Sequence, residues 1–135
     1  MDSYWLAGFA DGEGCFDCVI RKSLTTKTGH QVATRFTIIQ HSRDTLLMDA
    51  LKNHLGCGTV RVDSNKSYVT WSVSDFSEIL NIVIPFFDKY PIQGKKLADY
   101  QDFRKVAFLM KDKVHLTTEG LNEILQIKAG MNSKR

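Results

Sequence analysis

The 135-residue chain holds two prolines and three cysteines, and it has no apolar run of membrane length. Its longest uncharged apolar stretch, 79–87, is broken by Asn81 and Pro85 and falls far short of the ~20 residues a membrane helix requires, so no membrane partner is expected. Three cysteines cannot all pair and are too few for a disulfide framework, which makes a reducing compartment the default. Nine glycines with few prolines, 43% hydrophobic and 24% charged residues exclude collagen-like, disordered and coiled-coil classes. The opening Met1-Asp2-Ser3-Tyr4-Trp5 forms neither a basic leader nor an apolar signal core, so no address is read there. This length fits one domain, residues 1–135, burying about two-thirds of its unfolded surface.

A net charge of +3 says little by itself. Its distribution is more informative. Between Cys18 and Arg43 stand Arg21, Lys22, Lys27, Arg35 and Arg43 with no acid among them, while most Asp and Glu lie later. That asymmetry favours a polyanionic partner for one part of the fold.

Asp2-Ser3 caps a helix over 4–10, and Gly12-Glu13-Gly14 is expected to stop it, with glycine in the left-handed C-cap conformation. Cys15–Lys22 and Gln31–Gln40 are rich in β-branched and aromatic residues and flank a polar loop, the pattern of a hairpin. Ser42-Arg43-Asp44 caps a helix carrying Leu46, Leu47, Ala50, Leu51 and Leu55, which ends at Gly56. The pattern then recurs. Thr59–Asp63 and Tyr68–Val73 alternate as strands around Ser64-Asn65-Lys66-Ser67, with Val60, Val62, Val69, Trp71 and Val73 on one face. Asp75 opens a helix whose apolar side is Phe76, Ile79, Leu80, Ile82, Val83 and Phe86; a long helix around Leu97–Met110 and a last one capped by Thr117 follow. The order α-ββ-α-ββ-α-α-α predicts an α+β fold: one four-stranded antiparallel sheet with helices on a single face, plus additional C-terminal helices.

The first helix has two oddities. Gly8 and Gly12 share one stripe with Ala7 beside them, although each interior glycine costs about 1 kcal/mol relative to alanine. Close approach of another backbone would compensate, from this chain or from another. Asp11 and Glu13 sit in the last turn, where the helix dipole disfavours anions by about 0.3–1 kcal/mol each. A cation arriving there would account for them, and carboxylate plus carbonyl oxygen suits a hard ion such as Mg²⁺ or Ca²⁺. A solvated acidic helix end is the plainer account.

The segment Leu6-Ala7-Gly8-Phe9-Ala10-Asp11-Gly12-Glu13-Gly14 resembles the signature of the LAGLIDADG homing endonucleases and related intron maturases, with five of nine letters identical and Glu13 replacing an Asp. Trp5 before it, Cys15-Phe16 after it and the tail His115-Leu116-Thr117, Gly120-Leu121, Ile124, Lys128 and Met131-Asn132 resemble the C-terminal half of two-repeat enzymes of fungal mitochondria. The resemblance implies an αββαββα repeat with a saddle-shaped sheet. It implies that Glu13 binds a catalytic divalent ion with the Gly12 carbonyl as second ligand, that Gln40 organises water near the scissile phosphate, and that Lys96 or Lys95 is the basic residue at the site's edge. Arg43 is a weaker candidate for that edge. Mg²⁺ is the implied cofactor, with Ca²⁺ able to bind without supporting cleavage.

Only one copy of the signature is present. One copy supplies one Glu13, and paired-metal hydrolysis takes carboxylates from both sides of a site, so a homodimer through Ala7, Gly8, Asp11 and Gly12 is expected. The uncovered sheet face would lie on double-stranded DNA, since a two-stranded ribbon fits the major groove. Alternation sends Phe16, Cys18 and Ile20 toward the helices. It sends Asp17, Val19 and Arg21, then Gln31, Ala33, Arg35, Thr37 and Ile39, and on the later hairpin Arg61, Tyr68, Thr70, Ser72 and Ser74, toward DNA. Arg21, Gln31, Arg35 and Arg61 suit base edges, whereas Lys22, Lys27 and Lys66 suit phosphates.

Cys15 and Cys18 form a C-x-x-C, but on a strand they face opposite sides, and no zinc site is expected of them. His30, His41, His54 and His115 lack ligand spacing. The expected activity is site-specific hydrolysis of both strands of a long, nearly palindromic DNA target, by a protein encoded in a mitochondrial intron. Two rival readings remain: a maturase that grips intron RNA without cutting, and one half of a two-repeat endonuclease.

Overall fold

Asp2 starts the first helix: its carboxylate accepts the Trp5 N–H at 3.0 Å, and α1 runs over Ser3–Glu13. The computed structural model describes residues 1–63 and 65–132, so Ser64 of the expected turn lies outside the described residues. Strand β1, Gly14–Lys22, follows α1 without a connecting residue, and β2, His30–His41, pairs with it antiparallel. A single 3-10 turn, Ser42–Asp44, leads to α2, Thr45–Leu55. The second hairpin is β3, Thr59–Asp63, and β4, Tyr68–Val73. The short α3, Phe76–Glu78, a π-helical turn over Ile79–Val83 and α4, Ile84–Lys89, then form one continuous rod. Helices α5, Lys96–Lys111, and α6, Thr118–Gly130, complete the chain. The sheet order is β1-β2-β4-β3, entirely antiparallel, which is the expected α+β arrangement.

The caps expected at Asp2, Asp75 and Thr117 form, the last two accepting from Glu78 N–H and Gly120 N–H at 3.0 Å each. Gly56 closes α2 in the left-handed conformation, φ 85°. Gly14 differs from expectation. It is extended, φ −82° and ψ 163°, and its N–H bonds back to the Ala10 carbonyl. A Cβ there would meet the Ala10 oxygen at 2.7 Å, so glycine serves for space and not for handedness. At the start of α2, the His41 ring accepts the Arg43 N–H at 3.0 Å, and Asp44 makes no side-chain cap.

Alternation on the strands sorts the two faces as expected. Phe16, Cys18, Phe36, Ile38, Val69, Trp71 and Val73 are fully buried against the helices. Val62 is the exception: on the edge strand β3 it remains 55% exposed. In the π-helical rod Ile79, Val83, Ile84 and Phe87 are buried, while Ile82 and Phe86, assigned from the sequence to the apolar side, are only partly covered. The Ile84 N–H reaches back five residues to the Ile79 carbonyl, and Pro85 has no N–H to continue the ladder. Phe16 is the aromatic hub, with ring centroids 5.0–5.2 Å from Phe36, Phe87, Tyr100 and Phe103.

The end of α6 covers the free edge of β1. Lys128 Nζ donates to the Cys18 carbonyl, and Asn132 donates its side-chain amide to the Phe16 carbonyl at 2.9 Å. Two edge carbonyls that could pair with a foreign strand are thereby satisfied within the chain. Replacing Phe16 by Ala would open a cavity under four rings and is expected to cost about 3–5 kcal/mol, read as a lower denaturant midpoint at unchanged m-value.

Candidate functional site

The direct passage from α1 into β1 fixes Glu13 at the rim of the sheet's uncovered face. Its Oε2 accepts a hydrogen bond from Gln40 Nε2 at 3.1 Å, so the last turn of α1 and the end of β2 meet there as expected. Lys96 Nζ, from the first turn of α5, donates to the Gly12 carbonyl at 3.0 Å. Of the two lysines weighed from the sequence, Lys96 reaches the site; Lys95 precedes α5 and forms no capping bond. The result is a carboxylate, an amide, a carbonyl and an ammonium drawn from three elements. Arg43 sits in the 3-10 turn, exposed, with its backbone N–H on the His41 ring.

Glu13 and the Gly12 carbonyl are oxygen donors of the kind Mg²⁺ and Ca²⁺ take. Among the described residues no three His, Cys, Asp or Glu side chains cluster as a metal site, so one chain contributes a single carboxylate at this point. The oxygen chemistry fits a hard ion, and the ligand count fits half of a site.

The four α1 residues assigned to an interface divide. Gly8 and Gly12 are exposed, and apart from their own helix no described residue comes within 4 Å of where a Cβ on either would stand. Packing within the chain therefore does not account for them. Ala7 is corrected: at 4% exposure it belongs to the chain's own core with Leu6 and Ala10. Asp11 is engaged within the chain: its Oδ2 accepts the backbone N–H groups of Gln93 and Gly94, at 2.9 and 2.7 Å. Trp5 and Phe9, stacked at 5.1 Å between ring centroids, extend the open side of α1.

The uncovered face is concave. A depression of about 880 Å³ is lined by Glu13, Cys15, Arg35, Thr37, Arg61, Tyr68, Thr70 and Ser72, and a neighbouring one of about 620 Å³ adds Val19, Arg21 and Gln31. Registration aligns these residues in rows, Cys15–Thr37–Ser72–Thr59 and Ile39–Thr70–Arg61. Ala33, Ile39 and Ser74 line it as well, so twelve of the thirteen residues expected to face outward do so. Asp17 is the thirteenth. It lies opposite Arg35, accepts from its guanidinium at 3.3 Å, and has Lys128 Nζ at 3.6 Å on the other side. Arg35 is therefore held by a neighbour and not free, and Asp17 acts as its brace.

Sequence reasoning missed the rim. Asp63, Asp75 and Glu78 border the larger depression, and His115 and Leu116, from the turn before α6, border the smaller. The sequence marked Asp75 as a helix start, Asp63 as a strand end and His115-Leu116 as part of the tail, but their arrival at this face depends on the packing of whole elements. Burial lowers the His115 imidazole from its usual range and raises the Cys15 thiol, with Asp17 adding to the latter.

Residues 6–107 match the family model described as LAGLIDADG endonuclease. A protein of Neurospora crassa named probable intron-encoded endonuclease 3 is 43% identical over 92% of this chain and 23% of its own length. The DNA endonuclease I-CvuI of Chlorella vulgaris is 28% identical over 86% of this chain and 79% of its own. The meganuclease I-SmaMI, in a crystal structure bound to uncleaveable DNA, superposes with a TM-score of 0.96 at 47% identity, over 99% of this chain and 46% of that one. The same protein bound to uncleaved target with calcium ions superposes at 0.94. The chain thus spans about a quarter of the Neurospora relative and about half of the structural one. The signature helix and the overall fold agree with these matches, and the chain belongs to the LAGLIDADG homing endonuclease family.

Proposed function

We propose that this chain is one half of a divalent-metal-dependent DNA endonuclease, completed across the open side of α1 by a second copy of itself. The observation that carries the reading is the coincidence of two features on one helix. Gly8 and Gly12 present a side with nothing packed on it, and the same helix ends on a lone, outward Glu13. Two such helices crossing on their glycines would bring two Glu13 side chains together.

Each residue then has a task. Glu13 and the Gly12 carbonyl would hold the ion, which when bound would polarise the scissile phosphate and lower the pKa of attacking water. Gln40 fixes the orientation of the Glu13 carboxylate and leaves its amide oxygen for water. Lys96 supplies positive charge beside developing negative charge on phosphate. On the sheet, Arg21, Gln31, Arg35 and Arg61 would read base edges, with Arg35 stiffened by Asp17. Thr37, Tyr68, Thr70, Ser72 and Val19 would line the groove, and Lys22, Lys27 and Lys66 would meet phosphates. A two-fold assembly would favour a nearly palindromic target. Mg²⁺ as the working ion and a mitochondrial intron as the coding site follow the family resemblance; the I-SmaMI structure with calcium ions supports a divalent ion, and the intron-encoded name of the Neurospora relative supports an intron origin.

One specific observation favours a second reading. The chain covers about half of the I-SmaMI chain, so the completing half is either another copy or a different repeat. Light scattering separates the two. A self-completing protein has a mass about twice the 15.3 kDa of one chain and cleaves duplex DNA; a monomer that binds and does not cleave identifies a half that needs a different partner. A Leu at position 8 meets open space within the chain, and replacing helical Gly stabilises by about 0.5–1 kcal/mol. Gly8→Leu should therefore keep or raise the melting temperature while abolishing dimer and cleavage. An active dimeric variant would sink the α1 interface.

Glu13→Gln keeps the Gln40 contact in shape but replaces an anionic ligand with a neutral amide. Loss of Mg²⁺-dependent cleavage with retained DNA affinity is expected in a gel assay, and wild-type cleavage would place the site elsewhere. Arg35→Ala should relax choice at one base pair per half-site by about 1–3 kcal/mol, whereas Lys27→Ala should weaken all sequences alike and flatten the salt dependence. Binding selections at two salt concentrations distinguish them.

A further inference from the structure

The last turn of α1 carries a second carboxylate to which the hydrolytic reading assigns no task. Asp11 Oδ2 takes two backbone N–H groups at once, Gln93 at 2.9 Å and Gly94 at 2.7 Å, from a loop more than eighty residues away in sequence. The loop lies directly on the carboxylate: a Cβ on Gly94 would stand 2.7 Å from Asp11 Oδ1. The Gly94 carbonyl accepts the Leu97 N–H at 3.1 Å and so begins α5, whose start has no side-chain cap of its own. Lys96, the first residue of that helix, reaches back to the Gly12 carbonyl at 3.0 Å. The path is closed. It leaves α1 at Asp11, passes through the 93–94 backbone into α5, and returns to α1 through Lys96, next to Glu13.

We propose that Asp11 is a positioning residue for the cleavage reaction: by anchoring the 93–94 backbone it sets where α5 begins, and thereby where the Lys96 ammonium stands. The inference rests on the hydrolytic reading above. A lysine carries its charge on a flexible four-carbon stem, so its placement depends on the backbone from which it starts. A carboxylate accepting two N–H groups makes a stronger anchor than a neutral acceptor would. The same bonds explain why an acid is tolerated against the helix dipole at this point: its charge is met by N–H groups brought from elsewhere in the fold.

Three variants of the full chain test this: Asp11→Asn, which keeps shape and removes charge; Gly94→Ala, which pushes the loop off the carboxylate without changing charge; and Lys96→Ala. Amide exchange at residues 93 and 94 and the NMR signal of the Lys96 ammonium are followed without DNA or metal. Single-turnover cleavage and DNA binding are measured beside them. Asp11→Asn and Gly94→Ala are expected to speed amide exchange, shift the Lys96 signal, leave DNA affinity within about twofold, and slow cleavage by roughly ten- to a hundredfold, the penalty of a misplaced catalytic group. Combined with Lys96→Ala, neither should add further loss, because both act through that lysine. Losses that multiply with Lys96→Ala overturn the proposal, as does an undisturbed Lys96 signal in both variants. If the wild-type chain cleaves nothing, the hydrolytic reading fails, and the exchange and Lys96 measurements still decide whether Asp11 sets the lysine.

Discussion

The junction between α1 and β1 governs the rest of the molecule, since no residue separates helix from strand. Gly14 leaves the last helical turn already extended, with its N–H on the Ala10 carbonyl and no room for a side chain against it. Residues before the junction follow a helical period and residues after it a period of two, so each side chain's direction is set relative to the other element. Leu6, Ala7 and Ala10 turn inward on the helix, and Phe16 and Cys18 turn inward on the strand. Glu13 is left at the boundary, pointing over the uncovered face.

That placement makes the site a convergence of separate elements. Gln40 arrives because β2 pairs with β1 in a register that runs on to His41 beside β4. Lys96 arrives because α5 begins where the 93–94 backbone is held by Asp11. The two acids at the end of α1 therefore have opposite fates. Asp11 binds two backbone N–H groups of its own chain, while Glu13 accepts one side-chain amide and keeps most of its oxygen capacity for something outside it.

The concave face is mixed in charge. Arg35 and Arg61 project between hydroxyl-bearing residues, whereas Asp63, Asp75 and Glu78 stand at the β3 end. A polyanion lying there would be drawn to the β1–β2 side, where Arg21, Lys22 and Lys27 cluster, and held off at the acidic rim. The Asp17 carboxylate between Arg35 and Lys128 links this face to the C-terminal helix, so the brace on the sheet's edge and the brace on a groove arginine are one structure.

Patterns with a short range were legible in the sequence. Period-two alternation placed the two faces of β1, β2 and β4, the caps at Asp2, Asp75 and Thr117 marked helix starts, and the signature helix identified the family. Each of these depends on residues within a few positions of one another. The role of Ala7, the bonds of Asp11, the choice of Lys96 over Lys95, the pairing of Arg35 with Asp17 and the arrival of His115 at the rim were decided only by tertiary structure. They depend on which distant backbone comes within about 3 Å, and hydrogen bonding at that range is set by packing of whole elements. The two glycines of α1 show the division most plainly: their spacing was written in the sequence, and only the folded chain shows that no other described element fills the space their side chains would take.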